Sequence, residues 1–250
     1  MRFEWLPNPP RGAANPSSAG LVAVALALLL PAAASSEEVI APPSFRPGMA
    51  WTYQQREDIT GRAVGAVRLE IVTIASGAVS VDLTLAGEQA VTERWDATGN
   101  WQQVGSRGWD WLARLGGRSK MIEFVPALAL YQFPLRPGAS WVDTAHAVDP
   151  DSGRKTELKL FAKAIRWEEV TVPAGKFLAL KVRRTIAPND PAEFRSRTTV
   201  SLVDWYSPQV SGSVRSICDW EFQDDRRPRG DQLVKGGRMR WELTGYTPAK

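Results

Sequence analysis

Nucleophilic and metal chemistry have little material to work with in this chain, which contains a single histidine, His146, and a single cysteine, Cys218. His146 stands between Asp143 and Asp149, so a serine brought from elsewhere would complete a hydrolytic triad. No nucleophile elbow supplies that serine, and the alternating stretch SWVDTAHAV makes His146 a strand residue. Ser152 and Lys155 have the Ser-x-x-Lys spacing of acyl-enzymes, a chemistry that needs serine at a helix N-terminus with lysine one turn on. DPDSGRK is turn sequence running into a strand, which points the two side chains apart. Cys218 shares a face with Val214, Trp220 and Phe222 and belongs to the core. Paired carboxylates are the remaining option, since glycoside hydrolysis needs only two. Glu168 and Glu169 are adjacent on a strand and face opposite sides, while Asp224 and Asp225 sit among neutralising arginines. No catalytic residue, metal site or cofactor is expected, and the chain is read as a non-enzyme.

Tryptophan is the residue type that points to binding, because an indole face stacks on sugars and lines apolar cavities. Eleven are present, all but Trp5 lying beyond the leader described below. Trp220 and Trp241 follow the core side of their strands, and Trp51, Trp141 and Trp205 flank turns. Trp109 and Trp111 differ: with Arg114 they occupy the non-strand segment SRGWDWLARLGGRSK and would cap the mouth of a half-open barrel. Trp109, Trp111 and Arg114 are therefore the candidate ligand-binding residues, with packing as the competing reading. A ligand held there predicts an apolar cavity on the order of several hundred Å3, reached past the two indoles. The stretch DDRRPRGDQLVKGG, from Asp224 to Gly237, has no apolar periodicity and reads as a charged, exposed loop at a sheet edge.

The elements that would position these residues alternate with a period of two, as strands with one buried face must. Val67, Leu69 and Ile71 share a face, as do Val79, Val81, Leu83 and Leu85; Leu178, Leu180, Val182 and Ile186; and Met239, Trp241 and Leu243. TTVSLVDWY carries Val200, Leu202 and Tyr206 on one face and Val203 and Trp205 on the other, which predicts a strand covered on both sides. Pro-Gly turns open two similar hexapeptides, RPGMAW at Arg46 and RPGASW at Arg136. DATGN and VPAGK place glycine where a hairpin needs positive φ. Only GWDWLARLGG suggests a helix, near 109–116.

The first forty residues precede the fold. Ala19 to Leu30 is an apolar run shorter than the about 18 residues a membrane span needs, and Ala32-x-Ala34 has the form of a cleavage site. The expected organisation is a signal peptide over 1–34, a disordered linker over 35–44 and one antiparallel β domain over 45–250, which also admits division into pseudo-repeat halves 45–132 and 133–250. No lipid-modified cysteine ends the apolar run, so a periplasmic or secreted address without an integral membrane span follows. The net charge of +4 is spread over both signs and argues against nucleic acid as a partner.

FPLRPGASW, VTVPAGKFLALKV and WYSPQVSGSVRS together resemble the TapB-like family of bacterial envelope proteins, mainly over the second half of the chain. The resemblance departs at VSGSV, where a wider turn is expected, and it implies a periplasmic antiparallel β domain with no assigned reaction. The expected fold is all-β, a strongly curved antiparallel sheet forming an open barrel or two-layer sandwich. The expected function is non-catalytic binding of a lipophilic or cell-envelope ligand, or contact with an envelope protein through the charged loop or an unpaired sheet edge.

Overall fold

Strands account for most of the chain from Ala50 onward. The computed structural model describes residues 39–86, 88–105, 111–112, 121–189 and 195–249, all within the unit Glu37–Lys250. In chain order the strands are β1 Ala50–Glu57, β2 Ala63–Ala75, β3 Ala78–Leu85, β4 Val91–Asp96, β5 Trp101–Gly105, β6 Met121–Leu128 and β7 Ser140–Val148. The longer ones follow: β8 Lys155–Val172, β9 Gly175–Pro188, β10 Arg195–Ser207 and β11 Gly212–Asp224, then the short β12 Leu233–Lys235 and finally β13 Met239–Thr247.

From β1 to β11 each strand pairs antiparallel with the next, and β13 joins β11 to β1. The ring of pairings therefore closes, giving a twelve-stranded barrel with β12 attached to β11 alone. Of the two architectures expected, the barrel is the one formed, and it is closed rather than open. Closure removes the unpaired edges that an open sheet would present.

An interior spanned by twelve strands is too wide for aliphatic side chains alone to fill, since eight strands already give a just-filled core. Large aromatics take up the difference, in two interior clusters. One gathers Leu128, Leu135, Leu158, Leu160 and Ile186 with Trp101, Trp141 and Trp220. The other gathers Val67, Ile71, Val81 and Leu243 with Trp51 and Trp241. Trp95 packs against both. Outward positions such as Lys155, Lys159, Lys163 and Arg183 are exposed.

The two hexapeptides adopt one backbone design. Gly48 and Gly138 have φ of 86° and 82°. Each glycine donates its N–H to a neighbouring strand, Gly48 to the Ile71 carbonyl at 2.8 Å and Gly138 to the Ala164 carbonyl at 2.9 Å. Ile71 and Ala164 in turn donate to the carbonyls of Met49 and Ala139. Each following tryptophan donates its indole N–H to a main-chain carbonyl, Trp51 to Val210 and Trp141 to Ala129.

Several expectations are refined. The charged stretch after Asp224 returns to the sheet as β12, pairing Leu233 with Gln223 and Val234 with Phe222, while Arg226 grips Asp224 with two nitrogens at 2.9 Å. The linker expected over 35–44 is held from Ile40, which is buried and exchanges two backbone hydrogen bonds with Leu135. Leu178, expected inward, is 44% exposed near the start of β9. VPAGK forms the β8–β9 hairpin, with Val172 paired to Gly175. In β10 both faces are covered: Trp205 is buried beneath the Lys181 ammonium and donates its indole N–H to Glu168.

Candidate functional site

Two inward rows of apolar residues are interrupted by charge, and the interruptions meet. Along β9 the buried row Leu180, Val182, Ile186 includes Arg184, and along β10 the row Val200, Leu202, Tyr206 includes Asp204. Arg184 is 1% exposed and forms a short ion pair with the Asp204 carboxylate through Nη1. Its Nε donates to the Leu130 carbonyl at 2.5 Å, and its guanidinium lies 4.3 Å from the centre of the Tyr131 ring.

Tyr131 donates its hydroxyl proton to Asp204 Oδ2 at 3.0 Å. The contact of the same oxygen with Ser213 Oγ at 3.1 Å therefore has Ser213 as donor. Tyr53 adds a hydrogen bond from its hydroxyl to the Ser213 carbonyl at 2.8 Å. The DATGN turn holds Tyr131 in place: Asp96 accepts from the main-chain N–H groups of Thr98 and Asn100, and Asn100 Oδ1 accepts from the Tyr131 N–H at 2.8 Å. A turn legible in the sequence thus fixes a residue of the polar cluster.

Burial pushes the Tyr53 and Tyr131 hydroxyls far above the ordinary phenol range, with the Asp204 charge adding to it. Burial alone would lower the Arg184 pKa, but the Asp204 carboxylate and Tyr131 outweigh it and hold the guanidinium above its usual value. These groups keep their ordinary protonation states at any physiological pH. A tyrosine that cannot ionise is no base for the Ser213 hydroxyl, and a guanidinium is no proton donor.

The cluster forms the floor of a cavity of about 120 Å3. Its walls are aromatic, led by Trp51, Trp95, Trp101 and Trp241. Phe45, Thr98, Gly99, Ser211 and Gly212 complete it, so it lies at the barrel end where the segment before β1, the β4–β5 turn and the β10–β11 turn converge. The cavity is smaller than several hundred Å3, and Trp111 is absent from its wall. Trp111 is instead 2% exposed within the first interior cluster. Trp109 and Arg114 lie outside the described residues.

The other residues weighed in the sequence lie elsewhere in the barrel. His146 is an exposed residue of β7, opposite Val125 and Glu157. Ser152 donates its hydroxyl to Asp149 in the turn before β8. Cys218 is buried in the first cluster. The signal that sequence reading passed over was available: a charged residue on a core-facing row, once in FLALKVRRTI and once in TTVSLVDWY.

No family model matches the chain, and no curated protein matches it. Among solved structures, a protein described as a candidate lipoprotein of Parabacteroides distasonis is similar over 83% of this chain and 97% of its own, at 18% identity and a TM-score of 0.47. A candidate exported protein with a YmcC-like fold from Bacteroides fragilis covers 84% of this chain and 99% of its own, at 16% identity and a TM-score of 0.46. The hypothetical lipoprotein YmcC of Escherichia coli covers 82% and 87%, at 9% identity and a TM-score of 0.35. No helix among the described residues is long and apolar enough to cross a membrane.

Proposed function

We propose that this chain is an exported, non-catalytic binding module of the cell envelope, whose pocket at one barrel end takes a small ligand. The observation that carries the reading is the aromatic-walled cavity over a buried Arg184–Asp204 pair. Burying an ion pair is costly, and in a core built only for stability apolar residues of similar size serve as well or better. Preformed aromatic walls with a few converging polar groups are the usual make-up of a small-molecule site. Tyr53, Tyr131 and Arg184, held in their ordinary charge states, favour recognition over proton transfer. Leader sequence and cleavage site support the exported address, and the TapB-like resemblance of the turn motifs agrees with an envelope role.

The size of the cavity narrows the ligand: an extended acyl chain does not fit in about 120 Å3, whereas the end group of a longer envelope molecule does. Native mass spectrometry of the protein isolated from its own host tests this. A small adduct lost on activation is the expected result, and protein carrying no adduct under any gentle condition would refute it.

A protein partner is the second reading, favoured by Val142 and Phe161. They face each other across β7 and β8 and are 67% and 48% exposed. A co-purified polypeptide in the same spectrum would support it.

A further inference from the structure

We infer that the cavity selects a neutral cyclic alcohol, one hydroxyl of which bridges Asp204 Oδ1 and Ser216 Oγ. This deepens the binding role proposed above and rests on it. The two oxygens of the Asp204 carboxylate are used unequally. Oδ2 receives both the Arg184 guanidinium and the Tyr131 hydroxyl, and those two donors share a hydrogen bond of their own. Oδ1 accepts no hydrogen bond among the described residues, although Asp204 is only 8% exposed and lines the cavity. Unlike the fully enclosed polar atoms of the barrel, Oδ1 keeps contact with open space. A carboxylate oxygen so far withdrawn from water is costly to leave without a donor, and the cavity is the side from which one arrives.

Ser216 stands beside it. Strands β10 and β11 pair Asp204 directly with Ser216, which puts the two side chains on one face with Cβ atoms about 4.5–5.5 Å apart. Ser216 lines the same cavity, and its hydroxyl makes no hydrogen bond among the described residues. Charge narrows the ligand. Arg184 already balances Asp204, so an ammonium group would bring a second positive charge beside the guanidinium, and an anion would face a bare carboxylate oxygen. The ligand group is therefore neutral. Oδ1 can only accept, whereas the Ser216 hydroxyl has a proton to give, so the group between them must donate and accept. A hydroxyl does both with one oxygen; a carbonyl or ether does not donate, and an amide nitrogen does not accept. Shape follows from the walls. The indoles of Trp51, Trp95, Trp101 and Trp241 line the space, offering flat faces against which a ring packs. An engineered cavity of about 150 Å3 admits benzene, so about 120 Å3 takes the hydroxyl-bearing edge of one ring, with the opposite edge toward the barrel end.

Three probes of similar size separate the elements of this inference on the unaltered protein: cyclohexanol, cyclohexanone and cyclohexylamine, the last protonated at pH 7. Binding is read from the indole N–H signals of Trp51 and Trp95 in NMR titrations, and the cyclohexanol complex is then crystallised. Cyclohexanol is expected to bind at least ~10-fold more tightly than cyclohexanone and more tightly than cyclohexylamine, with its oxygen within hydrogen-bonding distance of both Oδ1 and Ser216 Oγ. Ser216→Ala removes a hydroxyl that no other described group uses, and is expected to weaken cyclohexanol roughly 5-fold while leaving the fold intact. Equal affinity for cyclohexanol and cyclohexanone would overturn the donor assignment, and preference for cyclohexylamine would overturn the neutrality argument. Unchanged cyclohexanol affinity in Ser216→Ala would refute the bridge, as would a complex in which water rather than the alcohol lies on Oδ1. If none of the three probes moves the Trp51 or Trp95 signal, this inference is refuted by itself, because the broader binding role is decided separately by the native mass spectrum.

Discussion

Arg184 and Asp204 depend on each other more than on the fold around them. Removing the carboxylate in Asp204→Asn leaves a charged guanidinium buried without its counter-ion, at an expected cost of about 3–5 kcal/mol. The double replacement Arg184→Met with Asp204→Leu removes both charges and is expected to cost much less than the sum of its singles. Urea denaturation of the four proteins measures this coupling, and strict additivity would show that the pair does not act as a unit. Glu93 offers a different test. It is 3% exposed and accepts hydrogen bonds from the Gly105 N–H at 3.0 Å and the Trp95 indole at 3.2 Å. Burial outweighs both donors and raises its pKa from the ordinary 4.5 to about 7. A carboxyl whose folded pKa is raised stabilises the fold fully below its unfolded pKa and loses that contribution as pH rises through the folded one. Between about pH 4.5 and pH 8 the group is expected to withdraw on the order of 3 kcal/mol. Glu93→Gln should flatten that slope, so that denaturation midpoints at pH 5 and pH 8 differ less in the variant than in the parent.

At the scale of elements, the two Pro-Gly turns are the sharpest comparison. Both glycines have positive φ, and a Cβ added at either would meet nothing within 4 Å. Gly48→Ala and Gly138→Ala thus isolate backbone strain from steric contact, and each is expected to cost about 1–2 kcal/mol. Similar losses in thermal or urea unfolding would confirm that the hexapeptides are one device used twice. Gly236, just after β12, is different in kind: a Cβ there would fall 2.0 Å from the Trp220 ring, so Ala at that position must displace either the indole or the strand.

The whole molecule is tied together by pairings that cross the sequence. β1 is hydrogen-bonded to β13 and β6 to β7, so the stretches 45–132 and 133–250 share two seams of one ring. Trp95 packs against both interior clusters. A closed barrel cannot lose one seam without opening the core to water. Unfolding followed by far-ultraviolet circular dichroism and by tryptophan fluorescence is expected to give coincident transitions. Two separated transitions would mean that the halves fold independently.

Period-two alternation and glycine positions were enough to determine an antiparallel β chain and its main hairpins. These are local properties, set by pleat geometry and by φ requirements that a residue carries with it. The candidate site was only half legible. Arg184 and Asp204 stand out as charges on apolar rows, but nothing in the order of residues says that the two rows are neighbours in register. That depends on β9 and β10 pairing so that both side chains enter one interior, with Asn100 bringing Tyr131 beside them from a distant turn. Closure of the ring, the volume left between two aromatic clusters and the burial of Trp111 were likewise decided only in three dimensions. They arise from summed packing over strands far apart in the chain, where no short stretch of sequence holds the information.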